Sequence, residues 1–280
     1  MMRIQGHQVG VCSWSIRPVD LADLAGKVVE LGLSSVQLAL GALIVLDDER
    51  KQQQLGILRQ SGIEVSAGMI DFPGEDYTSI AMIRQAGGFA PDETWEVRRQ
   101  MTIEAGKLAA GMGVGKLSCH IGFVPPSSAG HYEPMVRRVR DVAKELANLG
   151  VELLMETGQE GASELLQFLN DLGTKNVHIN FDPANMILYG AGDPIEAIGT
   201  LGRHIRHVHV KDAVMSDAPG VKWGREVVFG KGQVGPERFL EALERIGYQG
   251  PLVIEREAGE DRMGDVREAI KVLEEVGVKV

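Results

Sequence analysis

Apolar residues along this chain alternate between two rhythms. Residues 8–16, QVGVCSWSI, form a short apolar run that ends in polar residues and predicts a strand. Residues 19–32, VDLADLAGKVVELG, place their apolar side chains three and four apart and stop at a glycine, which predicts a helix. The pair then recurs: SVQLAL and DERKQQQLGILRQSG, then IEVSAGMI and, after a connection over 71–93, TWEVRRQMTIEAGKLAAGMG. KLSCHIG, VELLMETG, VHINFDPAN, RHVHVKDA and PLVIERE continue the strands, each followed by an amphipathic helical segment. The connection over 71–93 contains Pro73, Gly87, Gly88 and Pro91; a loop of that length in a compact domain is usually functional or mobile.

Strands that alternate with helices predict a parallel sheet. Eight such pairs, with no linker between them, predict one (β/α)8 TIM barrel of the α/β class spanning 1–280 as a single domain. An open doubly wound sheet is the alternative. It is disfavoured because no G-x-G-x-x-G opens the first helix.

The barrel reading directs attention to the C-terminal ends of the strands, where active sites of this architecture lie. Strand five ends in Glu156, strand six in Asp182, strand seven in His209 and strand eight in Glu255. Glu156 to Asp182 is 26 residues and Asp182 to His209 is 27, about one strand-helix unit each, so the side chains share a height. His209 to Glu255 is 46, lengthened by a loop from Ala213 to about Gly235. Three carboxylates at one point repel unless a cation sits among them. Three oxygen donors and one nitrogen suit one divalent ion, Mn2+ or Mg2+ first, with Zn2+ or Co2+ also compatible. Taken singly, a glutamate at a strand end is more often a salt-bridge partner, and a histidine on an apolar strand a hydrogen-bonded core residue. His207, one layer below His209, reads as the latter, and Glu257 as a rim residue past the strand.

Net charge is −10, which repels polyanions at long range and argues against a nucleic-acid or anionic-membrane partner. Cys12 and Cys119 are the only cysteines and form no C-x-x-C, so they read as reduced and intracellular. No apolar signal segment is evident, and the expected location is cytoplasmic.

METG around Glu156, NFDPANM around Asp182, HVHVKDA around His209 and LVIERE around Glu255 together resemble the xylose isomerase-like TIM barrel superfamily, in particular its sugar phosphate isomerase/epimerase branch. The resemblance implies that Glu156, Asp182, His209 and Glu255 ligate a metal, and that Glu156 and Glu255 are the acid/base pair. It implies a small carbohydrate substrate and proton transfer through a metal-stabilised enediolate, and, by analogy, a homo-oligomer (dimer or tetramer). The same site in the inosose dehydratase branch works as a lyase. His120 matches a position that contacts substrate or a further metal; a packed histidine is the equal alternative. Trp14 occupies a position where members place an aromatic against substrate, or else a core residue of the mouth. Lys211 could bind a substrate oxygen or phosphate, or form a salt bridge to Asp212 or a neighbouring carboxylate. Arg225 and Lys231 could cover the substrate, with a solvated loop face as their default. Asn185 stands where many epimerases and the AP endonucleases have histidine; it can bond a hydroxyl but is a poor metal ligand. GREVVFGKGQVG also lacks the histidine of the nuclease loop. An AP endonuclease-like nuclease is therefore disfavoured.

Overall fold

A computed structural model describes residues 2–278. The strands in chain order are β1 (Arg3–Ile4), β2 (His7–Cys12), β3 (Ser35–Ala39), β4 (Glu64–Met69), β5 (Lys116–Cys119) and β6 (Glu152–Glu156). They continue as β7 (Val177–Phe181), β8 (Ile205–Val210), β9 (Asp212–Val214), β10 (Arg225–Val227) and β11 (Leu252–Ile254). Strands β2, β3, β4, β5, β6, β7, β8 and β11 pair in parallel in that order, and β11 pairs back onto β2, so the sheet closes as the predicted eight-stranded barrel. Helices surround it. Val11, Val36, Leu117, Leu153, Ile179 and Leu252 share one buried cluster with Leu24, Val28, Val139, Phe168, Ile198 and Leu273 of the helices. Helix starts follow local chemistry: the carboxylates of Asp20, Asp47, Asp193 and Asp261 cap their helices by accepting backbone N–H groups. Among the described residues, no helix is long and apolar enough to cross a membrane.

The strands are shorter at their C-terminal ends than the apolar runs suggest, for reasons that matter at the mouth. The run over 8–16 leaves the sheet after Cys12 and winds into a 3-10 turn, Ser13–Ile16. Ser13 Oγ accepts the Ala39 N–H there, in place of further ladder bonds. Pro183 cannot continue a ladder, so β7 stops at Phe181 and Asp182 caps a helix, Pro183–Tyr189, that the periodicity did not predict. Glu255 and Glu257 lie just past β11. The loop after β8 is partly ordered as an antiparallel β9–β10 hairpin.

The connection over 71–93 is built, not slack. It contains the helix Ile80–Ala86. Arg98, fully buried on the helix Asp92–Gly111, donates to the carbonyls of Ala86, Gly88 and Pro73 at 2.7, 2.6 and 3.3 Å. Arg138 holds the carbonyls of Phe89 and Ala90 from the next helix, Tyr132–Asn148.

Candidate metal centre

At the mouth, Glu156, Asp182, His209 and Glu255 each offer a ligand atom, and these atoms lie within 4.8 Å of one another, all in buried residues. His209 Nδ1 is the common point: Glu255 Oε2 lies 3.3 Å away, Asp182 Oδ2 3.4 Å and Glu156 Oε1 3.5 Å.

Each donor is held from behind. Asp182 spends Oδ1 on the N–H groups of Ala184 and Asn185, at 2.8 and 2.9 Å, which leaves Oδ2 facing the centre. Glu156 accepts from Asn185 Nδ2 at 3.0 Å and Asn180 Nδ2 at 3.3 Å. Asn185 reaches it because Gly158 packs against the Asn185 backbone; a Cβ at Gly158 would sit 2.5 Å from Asn185 Cβ. Trp14 Nε1 donates to Glu255 Oε1 at 2.7 Å. Gln37 Oε1, on β3, lies 2.6 Å from His209 Nε2. That contact places the Nε2 proton toward the glutamine and turns Nδ1 toward the carboxylates. Below this layer, His207 bridges Ser66 and Asn180, at 3.0 and 2.8 Å, so it is a hydrogen-bonded residue of the barrel interior. Burial, then the neighbouring His209, holds its pKa well below the usual imidazole value.

The charges decide what the centre can hold. Burial alone would raise the carboxyl pKa values. For Glu156, His120 and His209 outweigh it; for Asp182, Lys211 and His209 do, and for Glu255 likewise Lys211 and His209. All three therefore lie below the ordinary carboxylate range. Burial opposes a charge on His209, but Cys12, Glu255, Glu156 and Asp182 together push its pKa well above 6.5. Lys211 is buried and sits 2.8 Å from Glu255 and 2.6 Å from Glu257, with Asp182 Oδ2 at 3.5 Å. Lys211 lowers the Glu257 pKa, but burial and Glu255 outweigh it and leave the value raised. One ammonium thus faces three carboxylates, with Glu156 a fourth beside His209. The excess negative charge, the three carboxylate oxygens gathered about His209 Nδ1 and the imidazole nitrogen itself fit a hard divalent cation such as Mn2+ or Mg2+. Glu156, Asp182, His209 and Glu255 are the residues that would hold it.

The remaining singled-out residues fall at different distances from this point. His120 Nε2 is 3.5 Å from Glu156 Oε1, half-buried. Asn185 is buried and touches Lys211 Nζ at 3.3 Å as well as Glu156. Lys211 pairs with Glu255 and Glu257, while Asp212 points elsewhere, into the loop that follows it. Arg225 and Lys231 are exposed. Residues not singled out by their sequence pattern also line the mouth. Tyr77, in the 71–93 segment, is exposed and donates its hydroxyl to Glu75 at 3.3 Å. Tyr189 stands edge-on between Trp223 and Phe123, at 4.7 and 5.6 Å, so two loops and the end of the helix Pro183–Tyr189 supply one aromatic wall. Only the aromatic and polar composition of those loops could have signalled them, and it does not distinguish a mouth from a core.

A closed parallel barrel with such a centre at the C-terminal ends of its strands belongs with the (β/α)8 proteins built to carry chemistry there. More narrowly, the chain belongs to the xylose isomerase-like TIM barrel family, whose profile matches residues 25–276. It is similar to the crystal structure of a xylose isomerase domain protein from Planctomyces limnophilus, with 35% identity and a TM-score of 0.89 over 98% of each chain. An inosose dehydratase from Lacticaseibacillus casei is 25% identical over 151 residues, 49% of each chain. An L-ribulose-5-phosphate 3-epimerase from Escherichia coli O157:H7 is 32% identical over 143 residues, 48% of each. The chain thus spans about half the length of the curated relatives it matches.

Proposed function

We propose that this protein is a divalent-metal-dependent isomerase or epimerase of a small carbohydrate, with Glu156 and Glu255 as its acid/base pair. The observation that carries the reading is the placement of the two glutamates, at 3.5 and 3.3 Å from His209 Nδ1, with Asp182 completing the set. The chemistry the ion supplies is Lewis-acid polarisation of a carbonyl and of the charge that develops on its oxygen.

The chain's own residues do the rest. One glutamate takes the proton from the carbon beside the carbonyl, and the other returns it. Return to the opposite face of the same carbon is epimerisation; return to the neighbouring carbon is isomerisation. The two carboxylates are held differently, Glu255 by Trp14 and Lys211, Glu156 by the amides of Asn180 and Asn185. Different partners make different basicities, which the exchange of roles requires. Burial lowers the Lys211 pKa, but Glu255, Glu257 and Asp182 outweigh it and leave it well above 10.5. Lys211 therefore keeps its proton, orients the carboxylates and screens their charge.

Dehydration at the same centre is the second reading, supported by the inosose dehydratase similarity. Turnover of ketoses in deuterated water separates the two: deuterium gained at carbon supports isomerase chemistry, and loss of water supports a lyase. Glu156→Gln and Glu255→Gln should each lower kcat by about 10²- to 10⁴-fold with an unchanged circular dichroism spectrum. Near-normal turnover in either variant rules out the two-glutamate mechanism.

A further inference from the structure

We propose that the substrate of this site is an unphosphorylated, uncharged carbohydrate; this rests on the isomerase reading and narrows it. Barrels of this architecture frequently bind a substrate phosphate with the loops after the seventh and eighth strands, using backbone N–H groups and a helix N-terminus. Here those strands are β8 and β11. The loop after β8 leads into the helix Pro236–Arg245. Its N–H groups at Gly230, Gly232 and Val234 all donate to the Asp212 carboxylate at 3.0 Å, and Ala213 N–H adds a fourth bond at 2.9 Å. Asp212 is fully buried. The loop wraps it so closely that a Cβ on Gly232 would lie 2.2 Å from Asp212 Oδ1.

The loop after β11 repeats the arrangement. The N–H groups of Glu257 and Ala258 donate to Glu226 Oε1 at 2.9 and 3.3 Å. Of the cations nearby, Arg256 is engaged with Glu226 and Asp265 and Lys211 with Glu255 and Glu257, while Arg225 and Lys231 are exposed to solvent. Six N–H groups suited to an anion are thus satisfied by two carboxylates of the chain itself. A phosphate approaching these six groups meets negative charge in place of free donors. Displacing Asp212 would strand four N–H groups, of which those of Ala213 and Val234 are buried and costly to leave unmade.

A cavity of about 910 Å³ beside the loops after β5 and β6, lined by none of the four centre residues, does not restore the balance either. Arg84 and Arg138 line it together with Asp92, Glu160 and Glu164. Arg138 is tied to Asp92 and two carbonyls, and Arg84 lies over the Phe123 ring at 4.6 Å. What stands against the centre instead is Trp14 on Glu255, with His120 and Asn185 on Glu156. Flat apolar faces with hydrogen-bonding tips suit the C–H faces and hydroxyls of a neutral sugar.

The test uses the full chain loaded with Mn2+ and matched pairs: D-fructose and D-ribulose, each against its own terminal phosphate ester, with turnover and deuterium exchange as readouts. The free ketose of each pair should have the higher kcat/KM, by at least about tenfold, and inorganic phosphate should not compete with it. Equal or reversed preference overturns this inference, and leaves the isomerase reading standing if Glu156→Gln still abolishes turnover. Absence of turnover and exchange with every member of the panel sinks the isomerase reading, and this one with it.

Discussion

Replacing Gln37 with Leu probes the metal centre from behind, without touching any of its four donors. Gln37 Oε1 is 2.6 Å from His209 Nε2, and the side chain is fully buried. Its own amide Nε2 is buried with no protein partner, so the carbonyl is the end that the fold uses. Leucine keeps the bulk and removes the acceptor. A buried imidazole N–H then loses its partner, a cost of about 1–3 kcal/mol that His209 can escape only by rotating or changing tautomer. Either escape turns the Nδ1 lone pair away from Glu156, Asp182 and Glu255. Loss of such an orienting partner typically weakens metal binding by about 10- to 100-fold, which is roughly 1.4–2.7 kcal/mol. The assay is isothermal titration of metal-stripped protein with Mn2+, and thermal melts of the same samples establish folding. The metal-free variant should melt close to the parent, because the unpartnered amide goes with the side chain. A folded Leu variant that binds Mn2+ within about threefold of the parent would refute the orienting role.

Two further perturbations test other parts of the mouth. Glu160 is buried and accepts the Val124 N–H at 2.6 Å; burial pushes its carboxyl up from 4.5 to about 8. The folded state then binds the proton more tightly than the unfolded one, so stability falls as pH rises from about 4.5 to about 8, with a ceiling of roughly 5 kcal/mol. Glu160→Gln should match the parent in chemical denaturation near pH 4 and exceed it by about 2–4 kcal/mol near pH 8.5; parallel pH profiles would disprove this. Gly158 has φ +141° and sits 2.5 Å, measured from an added Cβ, from Asn185 Cβ. Gly158→Ala adds strain of about 1–3 kcal/mol beyond the overlap, and should lower Tm by about 4 °C or more in a chain of this size; an unchanged Tm would show that the loop gives way freely.

The barrel was legible because eight apolar runs alternate with helical ones, a pattern set by period and spacing alone. Residues at the C-terminal ends of four consecutive strands converge in a barrel by geometry, so Glu156, Asp182, His209 and Glu255 could be singled out together. What was not legible depends on contacts that cross the mouth. Gln37 reads as one polar residue inside an apolar strand, and only closure of β3 toward β8 through β2 and β11 brings it to His209. Asp212 reads as the natural partner of Lys211 beside it. On an extended backbone neighbouring side chains point to opposite sides, so Lys211 turns into the centre and Asp212 into its own loop. The helix Pro183–Tyr189 was hidden because Asp182 serves two ends at once, closing a strand and capping a helix.

Arg98 has a consequence for traffic in and out of the barrel. Swinging the 71–93 segment outward would strip a buried guanidinium of the carbonyls of Pro73, Ala86 and Gly88. At about 1.5–3 kcal/mol for each bond to a charged group, the outward position holds less than about one molecule in a thousand. Solutes and water therefore meet this wall in place at nearly every encounter. The aperture it leaves filters by size what reaches the centre before any side chain at the bottom inspects it.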